Sequence, residues 1–316
     1  MSDKRAPRKP DAVPDRRRRF ERQVPKYALT PGKVRLLSLI AQCGMLTTGQ
    51  CSRIAGISRK AAYNQLRDLF DSGLTERVSV PYVVLAPRDA LTKTSVSIPS
   101  EVIHLPTKKA MELLLDWGFV DESVASRPLP KYEAGNYLHL AHEVLVRDVR
   151  VWLQTCARMD GGDTEWWAHG TDAHVPPTRP DALFVYRLPC GPAKRVVGLV
   201  EADRGTERRD RWDKKAAEYA QLFASGELTT VTRGRKKGRI VIMTLDAARR
   251  DWIANVLDVS PVADSYYVAC RGDLEDGGMG RAVWRVAGSA ALVPFAAPEL
   301  LEANGPASRE SGRIIR

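Results

Sequence analysis

Residues 179–219 read RPDALFVYRLPCGPAKRVVGLVEADRGTERRDRWDKKAAEY, and this stretch decides the fold of the second half of the chain. Two apolar runs, residues 182–186 and 196–200, have the length and composition of β-strands. The second run is almost continuously apolar, as in a strand that is buried on both faces. The charged sequence after it predicts an amphipathic helix over residues 206–223. Together these elements indicate a strand–strand–helix unit of an α/β domain.

Acidic residues lie at the ends of the two strands. Asp181 opens the first strand, and Glu201 and Asp203 close the second. Burying a lone carboxylate is costly unless it is paired or binds a metal, and Mg²⁺ prefers oxygen ligands. Lys215 on the next helix is placed to stabilise negative charge on a phosphate. The pattern predicts Mg²⁺ or Mn²⁺ held by Asp181, Glu201 and Asp203 against a phosphodiester.

The alternative interpretation of these carboxylates is structural. Strand ends reach water, and Asp203, Arg204, Glu207 and Arg208 could form a surface ion-pair network, which stabilises a protein little. If the two strands are antiparallel neighbours, however, the start of one lies beside the end of the other. We then expect Asp181 to face Glu201.

A long helix predicted over residues 136–156 precedes these strands and adds one candidate. His139, His142 and Glu143 share a face, since residues three and four apart are neighbours on a helix. The sequence is not HExxH, so it lacks the second histidine of a zinc protease. His142 is a candidate catalytic residue, and the alternative is that both histidines are ordinary surface residues. Leu138 and Trp152 are expected on the apolar face.

The rest of this half contributes further strands and one more helix. The first strand of this half is predicted over residues 164–169, before the two runs above, and a fourth over residues 239–245. A helix with Trp252 and Ile253 on its apolar side starts at Asp246. Late strands are predicted over residues 266–270 and 283–286. The order α-β-β-β-α-β, followed by α, predicts an α/β (α+β) domain with one mixed central sheet.

The first half has the order of a winged helix-turn-helix. Three apolar-periodic helices are followed by two strand-like runs, residues 75–85 and 102–105, and by a helix that ends near Trp117. In this motif the second helix of the helix-turn-helix enters the major groove of DNA. The residues expected to begin or end the helices are Gly44, Thr47 or Thr48, Ser58, Gly73 and Thr107.

Polar and basic residues gather near the N-terminal half of the third helix, and no acidic residue precedes Asp68 on it. This composition favours contact with DNA over the alternative, a helical protein-interaction module. The predicted DNA contacts on this helix are Arg59, Lys60, Tyr63, Asn64 and Arg67.

The net charge of +11 is concentrated in two segments. Residues 1–27 contain ten Lys/Arg and four Asp/Glu, and residues 232–239 contain five basic residues and no acidic one. Concentrated basic segments are typical of proteins with a polyanionic partner. Double-stranded DNA is therefore the expected partner, and the alternative is a solubilising tail plus a solvated loop. Additional predicted DNA contacts are Arg235, Lys236 and Lys237.

Several functional classes are excluded by composition. No run of about 18 apolar residues predicts a membrane span, and the N-terminus lacks the apolar region of a secretory signal. Five scattered cysteines without a CxxC pair argue against a disulfide framework or zinc ribbon. These features predict a cytoplasmic protein. The expected parts are a disordered basic tail 1–29, a winged helix-turn-helix 30–118, a linker 119–135, an α/β domain 136–298 and a flexible tail 299–316.

Two resemblances rest on these residues. The element order with PD…ExD…K is similar to the PD-(D/E)XK restriction-endonuclease-like fold, which implies that Asp181 and Glu201 bind the metal. The position of that fold's usual lysine is Asp203 here, and Lys215 would have to replace it from the following helix. More closely, the chain resembles the replication-relaxation family over about residues 30–225. The motifs are HLPTKKAMELL (104–114), HEVLVRD (142–148), RPDA (179–182), EADRGTE (201–207) and KAAEY (215–219).

The family resemblance implies a DNA-binding protein of a plasmid or integrative element, connected with replication or with relaxation of supercoiled DNA. Two interpretations of the second domain stay open. It is either a Mg²⁺-dependent endonuclease that nicks DNA through Asp181, Glu201 and Lys215, or part of a non-catalytic transcriptional or copy-number regulator with a degenerate nuclease fold. A third is an interaction module of a conjugation or partition complex. Other replication or conjugation proteins and a homodimer are further expected partners.

Overall fold

The computed structural model of the protein covers both halves of the chain. Predictions about the basic tail, the C-terminal tail and the loop residues Arg235, Lys236 and Lys237 lie outside the described residues. Within the described part, no helix is both long and apolar enough to cross a membrane. The described residues are 22, 28–81, 100–129, 137–189, 194–232, 234, 238–274 and 278–296.

The first half consists of helices and a small antiparallel sheet. Its elements are α1 (Pro31–Cys43), β1 (Leu46–Thr47), α2 (Thr48–Ala55), α3 (Arg59–Asp71), β2 (Thr75–Pro81), β3 (Ser100–Pro106), α4 (Lys108–Asp116) and α5 (Glu122–Ala125). The strand order in the sheet is β1-β3-β2. Apart from β1 and α5, which the sequence did not indicate, the elements follow one another in the predicted order.

Capping side chains account for the helix boundaries in this half. Thr47, Ser58 and Thr107 each accept a hydrogen bond from the backbone N–H three residues further on. Such caps satisfy donors that the first turn of a helix leaves unpaired. Gly44 and Gly56 end α1 and α2 with φ of 76° and 68°, a region that favours glycine. The predicted starts of α2, α3 and α4 are therefore confirmed to within a residue.

Residues 119–129, predicted as part of a linker, pack onto the first half. Val120 is buried in the same apolar cluster as Val34 and Leu114. The Asp121 side chain accepts a hydrogen bond from the N–H of Val124 and so begins α5. Burial of apolar side chains thus carries the first half beyond the predicted boundary at residue 118.

The second half is a seven-stranded mixed sheet with the order β10-β9-β8-β7-β6-β5-β4. This confirms the predicted α/β class with one mixed central sheet, and β10 is a strand that the sequence did not indicate. The elements are α6 (Tyr137–Asp160), β4 (Asp163–His169), β5 (Ala182–Arg187), β6 (Arg195–Asp203), α7 (Arg209–Ser225), α8 (Leu228–Val231), β7 (Arg239–Thr244), α9 (Ala247–Val256), β8 (Tyr266–Cys270), β9 (Ala282–Val286) and β10 (Leu292–Pro294).

Helices cover the sheet on both faces. β6, β7 and β8 are parallel neighbours, whereas β5 is antiparallel to both of its neighbours, β4 and β6. Alternate residues of β5 and β6 face either the cluster of α6, with Trp152, or the cluster of α7 and α9, with Trp212 and Ile253. The strands β5 and β6 therefore lie between two apolar cores.

β6 extends beyond its predicted end at Val200. It continues through Asp203, which lies opposite Thr244 of β7. Glu201 and Asp203 are therefore part of the strand itself. They remain there because cationic side chains of α7 and α9, Lys215 and Arg249, neutralise them.

Two residues expected on apolar helix faces lie at the surface. Leu138 is 59% exposed and Trp252 is 37% exposed, whereas Trp152 and Ile253 are buried as predicted. Leu138 and Trp252 line open cavities and do not pack against the sheet. The prediction that both side chains lie on a buried apolar face, which rested on their hydrophobic character, is therefore wrong.

Asp148 of α6 joins the two halves of the chain. Its side chain is fully buried, and Oδ1 accepts hydrogen bonds from Gln50 Nε2 at 3.0 Å and from Arg53 of α2. Arg271, which follows β8, places Nε 2.8 Å from Oδ2. A buried charge requires this degree of compensation. The network therefore fixes α2, α6 and the end of β8 relative to one another.

Replacing Asp148 by alanine should strongly destabilise the protein. The change leaves the partly buried guanidinium groups of Arg53 and Arg271 without this carboxylate, and breaking a buried ion pair typically costs about 3–5 kcal/mol of unfolding free energy. Urea unfolding of the variant and the wild type gives the difference. Glu112→Ala is the control, since Glu112 is exposed and, among the described residues, its ion-pair partner is the exposed Lys108 at 3.6 Å. Equal losses in the two variants would contradict a joining role for Asp148.

Candidate functional site

A cavity of about 270 Å³ lies at the end of β6, between α6 and α7. We call it the acidic cavity. It brings together every side chain that the sequence predicts to be catalytic, although they come from four different elements. The predicted residues that line it are His142, Asp181, Glu201, Asp203 and Lys215.

Strand register explains why two of the carboxylates meet. β5 and β6 are antiparallel with Ala182 opposite Val200, and the N–H of Asp181 donates to the Val200 carbonyl at 2.9 Å. Oδ2 of Asp181 accepts a hydrogen bond from the N–H of Ala202 at 2.8 Å. Asp181 therefore lies beside Glu201, as the sequence predicts. Since side chains alternate along a strand, Glu201 and Asp203 share the face covered by α7 and α9.

Glu201 is buried, with 4% of its surface exposed, and α7 supplies its partners. Lys215 Nζ donates to Oε2 at 2.9 Å, and the Tyr219 hydroxyl donates to Oε1 at 2.6 Å. Lys215 also donates to Glu207 Oε1 at 2.8 Å. Lys215 and Tyr219 lie one turn apart on α7, so a single helix face satisfies both oxygens of the buried carboxylate.

Burial is the largest influence on the pKa values of the Glu201–Lys215 pair. It raises the pKa of the Glu201 carboxyl above its ordinary value, because the charge of Lys215 offsets only part of the effect and Asp181 adds to it. Burial opposes the charge of Lys215 as well, but Glu201 and Glu207 outweigh it and raise the pKa of the ammonium group. Lys215 is therefore a permanent cation between two carboxylates.

Asp203 serves as an anchor for α9. Its side chain is almost completely buried, and Oδ2 forms an ion pair with Arg249. Oδ1 accepts a hydrogen bond from the N–H of Gly205 at 3.1 Å, and Arg249 also donates to the Glu207 carbonyl. No sequence signal pointed to Arg249, because it belongs to a helix that only the parallel β6–β7 pairing brings to this place.

His142 reaches the cavity from α6. Its Nε2 lies 3.1 Å from Oδ1 of Asp181. Burial disfavours the imidazolium, but the hydrogen bond and charge of Asp181 outweigh burial and raise the pKa of His142. The histidine therefore acts as a partner of the carboxylate, and its catalytic role stays a prediction.

The predicted metal ligands do not fit a metal ion in this arrangement. All six carboxylate oxygens of Asp181, Glu201 and Asp203 already accept a hydrogen bond or form an ion pair within the protein. Two of the partners, Lys215 and Arg249, are cations. Among the described residues, no group of three or more His, Cys, Asp or Glu is arranged to hold a metal. Binding of Mg²⁺ or Mn²⁺ stays a prediction that this geometry does not favour.

Three arginines that the sequence analysis did not predict as site residues also line the acidic cavity. Arg179, Arg204 and Arg211 form no ion pair with any residue in the described ranges. Arginine presents a planar set of donors that matches phosphate geometry. Because the carboxylates of Asp181, Glu201 and Asp203 are paired within the protein, these guanidinium groups are the cationic groups of the cavity that could meet an anion. Arg179 and Arg204 directly flank the PD and EAD motifs, and this position could have identified them from the sequence as residues near the site.

The structure places the predicted DNA contacts of α3 in two groups. Arg59, Lys60, Tyr63 and Asn64 are exposed on the N-terminal half of the helix. Arg67 is half-buried, and its Nε donates to Asp71 Oδ2 at 2.9 Å. The exposed group is therefore available to a partner, and Arg67 is engaged within the helix.

Lys215→Met should destabilise the protein far more than Lys214→Met. Lys215 compensates two carboxylates, and its loss should cost about 3–5 kcal/mol at neutral pH. Lys214 is 66% exposed and lies 3.8 Å from Glu218, so its loss should cost less than about 1 kcal/mol.

The deficit of Lys215→Met should shrink at mildly acidic pH. Without the lysine, the pKa of Glu201 rises further, and a protonated carboxyl group needs no cationic partner. Stability lost at neutral pH is then partly regained as pH falls toward that pKa. Urea unfolding at both pH values measures the effect, and a deficit that grows on acidification would contradict the pairing.

Comparison with known proteins agrees with the motifs around the acidic cavity. The profile of the replication-relaxation family matches residues 37–235, more than half of the chain, and includes α3, α6, β5, β6 and α7. No curated protein and no solved structure matches the chain. The protein belongs to the replication-relaxation family.

Proposed function

We propose that the protein binds double-stranded DNA and acts in the replication or relaxation of mobile-element DNA. The observation that carries this proposal is the exposed N-terminal half of α3. Arg59 and Lys60 lie there without an ion pair to any described residue, and Tyr63 and Asn64 follow on the exposed surface. The family name supports a role in replication or relaxation.

The elements around α3 support docking of duplex DNA. α2 and α3 are joined by a tight turn at Gly56, and the hairpin of β2 and β3 follows. This is the order of a winged helix-turn-helix, in which the N-terminal part of the second helix contacts base edges. The capped N-terminus of a helix also favours the negative charge of phosphate. In this proposal α3 reads the major groove.

The acidic cavity supplies a second contact in this proposal. Arg179, Arg204 and Arg211 would bind a backbone phosphate at its rim, because their charges are not used within the described structure. The floor, including Glu201 and Lys215, stays internally paired and positions the rim. The cavity would therefore bind DNA without cutting it. The protein would then be a non-catalytic replication protein or regulator.

Metal-dependent nicking is the second candidate function. It is favoured by one specific observation: Asp181, Glu201 and Lys215 meet in one cavity although they are distant in sequence. It requires Mg²⁺ or Mn²⁺ to displace hydrogen bonds that the carboxylates make within the protein. Because the geometry does not favour this displacement, nicking ranks below binding. Further replication or conjugation proteins and a homodimer stay predictions.

Removing both cations of α3 tests the duplex-binding proposal. Arg59→Ala combined with Lys60→Ala should weaken binding to a duplex and reduce the slope of log affinity against log salt by about two, one for each lost phosphate contact. Fluorescence anisotropy over a series of salt concentrations measures the slope.

The matched control removes two other exposed lysines. Lys108→Ala with Lys109→Ala causes the same change of charge at the start of α4. An equal effect of both double variants would mean that binding depends on overall charge alone, and would contradict docking through α3.

A further inference from the structure

A second cavity, of about 470 Å³, lies beside the acidic cavity, and Arg204 lines both. We call it the tryptophan cavity. Its volume falls in the usual range for sites that bind small molecules. It opens at the carboxyl ends of the parallel strands β6 and β7, where α/β sheets commonly bind ligands. Its lining is mostly apolar and includes Leu245, Ala247, Ala248 and Trp252.

Trp252 is held in the cavity as a fixed aromatic surface. The guanidinium carbon of Arg249 lies 4.1 Å from the centre of its ring, a cation–π contact. Arg249 is itself fixed by Asp203 and by the Glu207 carbonyl. Over a third of the tryptophan nevertheless remains exposed. A large ring that is immobilised but not buried is suited to stacking with a flat ligand.

We infer that the tryptophan cavity binds the base of an unpaired nucleotide whose phosphate is held by Arg204. This inference rests on the proposed DNA binding and adds single-stranded or locally opened DNA as a substrate class. Three observations support it together: the exposed ring of Trp252, the apolar walls beside it, and an arginine shared with an anion site. Bases stack on aromatic side chains irrespective of their identity, so the site would show little sequence preference.

The cavity favours an unpaired base over a base within a duplex. In a duplex each base is stacked on both sides and cannot enter a pocket without being extruded. A single strand offers free bases along a phosphate backbone, which matches an aromatic cavity next to an arginine. Duplex docking through α3 and base stacking on Trp252 are then separate contacts, whereas Arg204 would bind a phosphate in both.

The test compares single-stranded and duplex DNA on the full-length protein. Trp252→Ala should weaken binding of a labelled single-stranded oligonucleotide by about ten-fold, the effect of losing one stacked base. Its affinity for the duplex of the same sequence should not change. Trp252→Phe should retain most of the single-strand affinity, because phenylalanine preserves a stacking face.

Two further variants test whether a loss of single-strand affinity is specific to the tryptophan cavity. Trp166→Ala is the matched control, since Trp166 is also 37% exposed but lines a different cavity with Val185. Ala248→Leu fills the tryptophan cavity and leaves Trp252 in place, so it should lower single-strand affinity as well. Circular dichroism of each variant confirms folding.

The outcomes separate this inference from the proposed function. If the wild type binds neither form of DNA, the proposed function fails and the inference fails with it. If it binds duplex DNA, but Trp252→Ala and Ala248→Leu leave single-strand affinity unchanged, only the inference is overturned. Duplex binding with no single-strand binding at all would likewise overturn it, and the cavity would then serve another ligand such as a partner's side chain.

Discussion

The structure depends on one helix that is buried from both sides. α6 packs against the sheet through Trp152 and Leu153, and against the helices of the first half through Val151. Its only fully buried charge among the described residues, Asp148, is shared between α2 and the segment after β8. A helix with two apolar faces and one compensated carboxylate can hold two folded units together, because separating them would expose both faces and leave that carboxylate without partners.

This arrangement also links the two candidate contacts with DNA. His142 lies on the same helix as Asp148, less than two turns away, and reaches Asp181 in the acidic cavity. α2, which Asp148 holds, leads directly into α3. The surface that is proposed to dock duplex DNA and the cavity that is proposed to bind phosphate are therefore attached to one rigid element. Their separation in the folded protein is fixed by packing.

The acidic cavity illustrates how a strand can carry buried carboxylates without a metal. Glu201 and Asp203 continue β6 into the sheet and would be costly there alone. Lys215 and Tyr219 from α7, and Arg249 from α9, satisfy them from one face. Three arginines at the rim, Arg179, Arg204 and Arg211, form no ion pair with any described residue. The resemblance to a nuclease site thus lies in the positions of residues, while the proposed anion binding rests on these arginines.

Much of this could be predicted from local sequence. Capping residues such as Ser58 and Thr107 fixed helix starts, and the PD and EAD motifs brought Asp181 beside Glu201 once the strands paired as neighbours. Local patterns could not reveal partners that are distant in sequence. Arg249 for Asp203 and Arg271 for Asp148 depend on strand order, which determines which helix covers which strand end. The exposure of Leu138 and Trp252 was missed for the same reason, since periodicity identifies an apolar face but not where the sheet beneath it ends.

Whether the acidic cavity binds DNA without cutting it, as proposed, can be measured on plasmid DNA. The most direct measurement incubates the protein with supercoiled plasmid in Mg²⁺ or Mn²⁺, beside EDTA and Glu201→Gln samples, and resolves binding and topology on gels. We expect a shift of the plasmid without conversion to the nicked form in either metal. Nicking that requires the metal and is lost in Glu201→Gln, with binding retained, would contradict it and would mean that the Glu201–Lys215 pair opens to admit a metal ion.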